Sequence, residues 1–186
     1  MYKDSLIHLE WKLERSAPPF EGNDIKFPES FARYIIKKHT KKGDKVFDPF
    51  TGLGTTLFTA EEMKRIPFGF ETEEKKFEWV AGQLENWTHL IHDDAYNLAR
   101  YNLPKIDLVL TSPPYMPHRH KWNPLFGGDP KHGGYVKYLK RIRQIFLKVK
   151  TVMKKNAPLI IQADNLFQAK NFTPLPQDRA LSLIHI

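Results

Sequence analysis

The chain has 186 residues, 41% of them hydrophobic and 27% charged, which suits one globular domain with its own core rather than a disordered chain. It has no apolar run near the ~18 residues of a membrane span and no secretory leader pattern, so no membrane association and a cytoplasmic location are expected. Cysteine is absent, which removes disulfides, cysteine-ligated metals and thiol nucleophiles from these residues. The net charge of +8 is unevenly divided: residues 1–100 carry −2 and residues 101–186 carry +10. A basic half beside a near-neutral one points to an anionic partner, nucleic acid first.

Residues 1–25 contain the turn signals Pro18-Pro19 and Gly22-Asn23 and read as a weakly ordered lead-in. Pro28 to His39 predicts a helix, with proline in its first turn and Phe31, Tyr34, Ile35 and Lys38 spaced for one face. Gly43-Asp44 ends it. Lys45 to Asp48 is a short buried strand, followed by the turn PFTGLGTT and a helix from about Thr55 to Lys64. Ile66 to Glu71 is a second strand, 73–87 another helix, and 89–92 a short third strand that ends at Asp93-Asp94-Ala95.

Residues 106–110 form the next strand and run into Thr111-Ser112-Pro113-Pro114-Tyr115. Neither proline has an N–H for a ladder and both fix φ near −65°, so the strand stops at a rigid corner. A loop rich in Gly, Pro and His spans Met116 to Gly134. Residues 135–155 predict one helix, with Val136, Leu139, Ile142, Ile145, Phe146, Val149, Val152 and Met153 as its apolar stripe and many Lys and Arg elsewhere. Pro158 to Ala163 is a last strand. Strands alternating with helices imply a parallel sheet in a doubly wound, Rossmann-like α/β domain. Ligands of such sheets sit beyond the carboxyl ends of the strands, and Asp48, Glu71, Asp94 and Ser112 all fall there.

The glycines at 52 and 54 permit a tight turn and close approach of backbone to a ligand. The Walker pattern is absent, which disfavours a nucleoside triphosphate. Asp48 suits a ligand cation or hydroxyl. Glu71, ending the second strand, is placed for ribose hydroxyls, and Asp94 for an adenine amino group. A cation, a ribose and an adenine together indicate S-adenosylmethionine.

FDPFTGLGTT resembles the DPF-x-G-x-GTT cofactor loop of amino-group DNA methyltransferases, and TSPPY resembles their [DNS]-P-P-[YFW] catalytic motif. The resemblance runs from about Lys26 to Asp178. It implies an S-adenosylmethionine-dependent methyltransferase fold in which Phe27, Pro28, Asp48, Phe50, Gly52, Gly54 and Thr55 line the cofactor, Glu71 holds its ribose and Asp94 its adenine. It also implies a catalytic set of Ser112, Pro113, Pro114 and Tyr115 acting on double-stranded DNA, no metal, and a restriction endonuclease as a candidate partner. The lone pair of an exocyclic amino nitrogen is conjugated into the base. Ser112 Oγ and the Pro113 carbonyl are expected to hold the amino hydrogens and free that pair, with Tyr115 stacked on a base flipped out of the duplex. Transfer is direct, without a covalent enzyme intermediate; cytosine C5 chemistry would need a cysteine. Serine at 112 favours cytosine N4 over adenine N6.

The cofactor loop precedes TSPPY, whereas many SPPY enzymes run in the opposite order. The family's sheet has two further strands after 158–163, so the catalytic domain is expected at 26–180 and incomplete. Asn171 to Asp178 resembles the lead into the next family helix, and 181–186 resembles a translated sequencing adapter rather than native chain. The Met116–Gly134 loop and the basic faces of the 135–155 helix are the candidate DNA elements. His118, His120 and His132 make a poor metal site. The rival readings are a methyltransferase of tRNA guanine or protein glutamine, and a non-catalytic DNA-binding fragment.

Overall fold

The computed structural model describes residues 9, 10, 15, 27–168 and 171–183. The expected lead-in at 1–25 lies outside them apart from Leu9, Glu10 and Arg15, and so do residues 184–186 of the expected tail. Helix α1 (Glu29–His39) begins one residue later than expected, with Pro28 as its extended N-cap, its carbonyl accepting from the Phe31 and Ala32 N–H groups. Its last turn carries Lys37, Lys38 and His39, which complement the negative end of the helix dipole. Strand β1 (Lys45–Asp48) leads through the glycine turn into α2 (Thr55–Glu62). β2 (Ile66–Glu71), α3 (Glu74–Ala81), β3 (Leu90–His92) and β4 (Leu108–Thr111) follow. Then come α4 (Tyr135–Val152), β5 (Leu159–Ile161), a ribbon of β6 (Leu166–Gln168) with β7 (Asn171–Thr173), and α5 (Leu175–Leu183).

The sheet is parallel throughout in the order β3-β2-β1-β4-β5, the doubly wound topology expected. The β6–β7 pair is antiparallel and separate from it. Pro67 is tolerated in β2 because the β3 ladder begins only at Gly69. On one face of the sheet α1 and α2 bury Ile35, Ile36 and Ala60 against Val46, Leu108 and Leu110. On the other, α4 lays Ile142, Ile145, Phe146 and Val149 over Phe47, Phe70 and Val109. No described helix is long and apolar enough to cross a membrane.

Three elements differ from the sequence reading. α3 stops at Ala81 rather than continuing to 87, because the Glu61 carboxylate on α2 accepts the Glu85 and Asn86 N–H groups and draws that segment away. α4 ends at Val152 because Met153 turns extended and bridges to Ile106, whose carbonyl accepts the Lys154 N–H. Val136 is 80% exposed, and the buried aromatic of that first turn is Tyr138. Of the segment 181–186, Leu181 to Leu183 complete α5.

Gly69, inside β2, lets the glycine-turn loop lie on the sheet. A Cβ there would stand 2.4 Å from Thr51 Oγ1 and 2.9 Å from Leu57 Cδ2. Gly69→Ala is therefore expected to lower unfolding free energy by about 1–3 kcal/mol in urea titration, and a loss under about 0.5 kcal/mol would contradict this packing.

Candidate active site

Two strand ends build the centre of the site. Asp48 closes β1 and is 2% exposed; its Oδ1 accepts the Phe50 N–H at 3.0 Å and the Thr111 hydroxyl at 2.5 Å. Thr111 is the last residue of β4 and the first of TSPPY, so one hydrogen bond ties the glycine-turn loop to the proline motif. Burial pushes the Asp48 carboxyl up to about 6, against the bonds from Thr111 and Phe50 that favour its charged form.

Glu71, at the end of β2, is 9% exposed. Its Oε2 accepts the Gly52 N–H at 2.7 Å, and its Oε1 accepts the Thr72 and Glu73 N–H groups at 2.9 and 2.8 Å. Three of its roughly four acceptor positions are thus filled, which leaves room for about one ligand hydroxyl. Burial raises this carboxyl also, opposed by the same backbone donors. Gly52 turns at φ +53, a conformation that favours glycine. Gly54 sits at φ +81, and a Cβ there would meet the Phe58 ring at 2.7 Å. Gly54 is required by the packing beneath the loop.

A cavity of about 890 Å³ lies over these strand ends. Phe27, Asp48, Phe50, Gly52, Thr55, Glu71, Asp94, Ser112, Pro113, Pro114 and Tyr115 all line it. Pro28 and Gly54 are not among the lining residues and act from behind, at the starts of α1 and α2. Asp94 accepts the Tyr96 N–H through Oδ1 and pairs with Arg141 through Oδ2 at 2.7 Å. Arg141 is held over the Tyr96 ring at 3.5 Å and also lines the cavity. This basic residue of α4 lines the cavity rather than facing bulk solvent. Lys148, which donates to the Tyr96 carbonyl, and Lys154, paired with Asp107, are likewise committed within the fold.

The Met116–Gly134 loop is folded onto the site. The Asn123 side chain accepts the Leu125 N–H and donates to the His132 carbonyl, and Pro124 to Gly127 form part of the cavity wall. His118 pairs with Asp178 at 2.9 Å. Behind the prolines, the Arg179 guanidinium, 2% exposed, donates to the Pro113 carbonyl at 3.1 Å and the Pro114 carbonyl at 2.9 Å. The Tyr138 hydroxyl donates to the same Pro114 carbonyl at 2.9 Å. Sequence reasoning did not single out Thr111, Tyr138, Gln162 or Arg179. Gln162 could have been found, since it lies just past the end of β5 on the same carboxyl edge as Asp48 and Glu71.

Residues 7–82 carry Asp48, the glycine turn and Glu71, and they match the family model described as DNA methylase. The matched stretch is 76 of the chain's 186 residues, less than half of it. That match begins upstream of Lys26, where the motif resemblance starts. The chain is 38% identical over 74 residues to the Type II methyltransferase M.MjaI of Methanocaldococcus jannaschii, a stretch covering 38% of this chain. It spans about a quarter of that relative's length, 24%. Among solved structures, a Clostridium thermocellum protein assigned as an rRNA methylase aligns with TM-score 0.55 and 18% identity over 87% of this chain and 83% of that one. A SAM-dependent O-methyltransferase from Thermotoga maritima aligns with TM-score 0.54 and 13% identity over 89% and 52%. Both likenesses concern the fold: a parallel Rossmann-like sheet of the methyltransferase type.

Asp48 sets a pH dependence with a definite sign. Its folded-state pKa lies above the unfolded value of 3.8, so its contribution to stability is fully present below 3.8 and lost as pH rises through about 6. Asp48→Asn keeps an oxygen for both hydrogen bonds and removes the charge. The variant is expected to match wild type near pH 4 and to exceed it by about 2–3 kcal/mol at pH 8 in urea unfolding. Parallel pH profiles for the two proteins would contradict a buried carboxylate whose hydrogen bonds only partly offset its burial.

Proposed function

We propose that this chain carries the catalytic centre of an S-adenosylmethionine-dependent DNA methyltransferase acting on an exocyclic amino group, cytosine N4 in preference to adenine N6. The observation that carries the reading is the Asp48–Thr111 hydrogen bond, which brings the DPF-x-G-x-GTT loop and TSPPY to one cavity. The match to DNA methylases and to a relative named as a Type II methyltransferase supports DNA as substrate. That relative's Type II designation also makes a cognate restriction endonuclease the expected partner.

The residues present fit the cofactor. The cavity's volume is in the range of small-molecule sites, and two buried carboxylates stand where a cationic end and a sugar hydroxyl would need acceptors. Asp48, Phe50, Gly52 and Thr55 would hold its amino-acid end, Glu71 one ribose hydroxyl, and Asp94 with Arg141 would border the adenine. When bound, S-adenosylmethionine supplies an activated methyl group.

The rest of the chemistry belongs to the chain. The target amino group is inaccessible inside a duplex, so the base is read after it leaves the stack. Tyr115, beside the two rigid prolines, offers a flat ring to that base. The Pro114 carbonyl already accepts two donors, and the Pro113 carbonyl retains one acceptor position. Ser112 Oγ and the Pro113 carbonyl therefore face the amino hydrogens, and holding those hydrogens localises the nitrogen lone pair. The basic C-terminal half supplies attraction for the phosphate backbone.

The test is expression in cells that lack DNA methylation, followed by digestion of genomic DNA and mass spectrometry of the nucleosides. N4-methylcytosine is expected, with Ser112→Ala lowering it on the order of 10²-fold. N6-methyladenine would overturn the base preference, and the absence of both products would contradict the DNA amino-methylation reading.

A further inference from the structure

Gln162 stands beside the proline motif, and the proposed chemistry leaves it without a task. Its backbone N–H donates to the Thr111 carbonyl at 2.9 Å, which registers it on the strand end next to Ser112. Its side-chain Oε1 accepts two hydroxyl protons, from Ser112 at 2.8 Å and from Tyr115 at 2.8 Å. A hydroxyl has one hydrogen and two lone pairs. Once that hydrogen is given to Gln162, Ser112 can meet a ligand only as an acceptor. Tyr115 is held by the same oxygen, so its ring plane is fixed relative to Ser112 Oγ.

We propose that Gln162 is a positioning residue that sets the polarity of this site. By taking both hydroxyl protons it presents Ser112 Oγ as a pure acceptor, which favours a base edge whose reacting nitrogen carries hydrogens and disfavours one that offers a carbonyl oxygen. On this basis cytosine is accepted and uracil or thymine rejected at the same ring position. The inference rests on the amino-methylation reading above and adds to it the group that enforces donor-only substrates.

Two variants separate the roles open to an amide. Gln162→Glu keeps an acceptor and, when ionised, has no hydrogen to donate. Gln162→Leu keeps the approximate shape and has neither. Steady-state methylation of duplex DNA is measured across pH, alongside calorimetric affinity for S-adenosylhomocysteine. A second readout is the ¹⁹F shift of 3-fluorotyrosine placed at 115. Gln162→Leu is expected to lower kcat at least about tenfold with cofactor-product affinity within about twofold, a split that general unfolding would not give. Gln162→Glu is expected to keep most of wild-type kcat at neutral pH and to lose it more steeply than wild type on acidification, its own carboxyl adding to the limb that Asp48 gives both proteins. The ¹⁹F signal should move in the Leu variant and stay near wild type in the Glu variant.

Equal loss in both variants would show that Gln162 acts by donating and would overturn the proposal, as would full activity in Gln162→Leu. If wild type gives no methylated base, the functional reading fails by itself. The ¹⁹F comparison then decides the positioning role, and an unmoved signal in Gln162→Leu overturns it.

Discussion

A carboxylate buried at the end of a β-strand is costly unless donors surround it, and Asp48 is such a group. One of its donors, Thr111, belongs to the neighbouring strand and opens the proline motif. The contact therefore does two things. It favours the charged form of a carboxyl that burial drives toward neutrality, and it fixes the glycine-turn loop relative to Ser112. The parallel pairing of β1 with β4 supplies the register that makes the contact, with Val46 opposite Leu108 and Phe47 opposite Val109. Cavity, loop and motif follow from that pairing.

The proline corner is rigid for two separate reasons. Its φ angles are fixed by the rings, and its carbonyls are held from behind by Arg179 and Tyr138. Arg179 comes from α5 and Tyr138 from α4, so the packing of these two helices is transmitted to the motif. Buried hydrogen bonds from a guanidinium are among the stronger ones available to a carbonyl. Ser112 and Pro113 line the cavity in front of this support.

The parallel sheet was legible in the sequence because its strands are short apolar runs separated by helical periods, and the carboxyl-edge rule then assembled Asp48, Glu71, Asp94 and Ser112 without coordinates. What escaped depends on contacts between distant segments. The Glu61 carboxylate that shortens α3, and Ile106 drawing Met153 out of α4, leave no periodic trace. Val136 fits a helical stripe as well as Tyr138 does, and only the position of α4 on the sheet decides which is buried. Arg179 reads as one more basic residue in a basic half, yet it is among the most buried side chains described. Arg141 reads as a phosphate-binding candidate, yet its partner is Asp94 at the cavity wall.

The most direct measurement is calorimetric titration of S-adenosylmethionine into wild type and Thr111→Val at neutral pH. Valine keeps the shape of threonine and removes the hydroxyl that supports the charged form of Asp48. Wild type should bind one equivalent, and the variant should bind about tenfold more weakly, the effect of losing one hydrogen bond to a buried charge. No binding by wild type, or equal affinity in both proteins, would contradict a cofactor site organised by the Asp48–Thr111 contact.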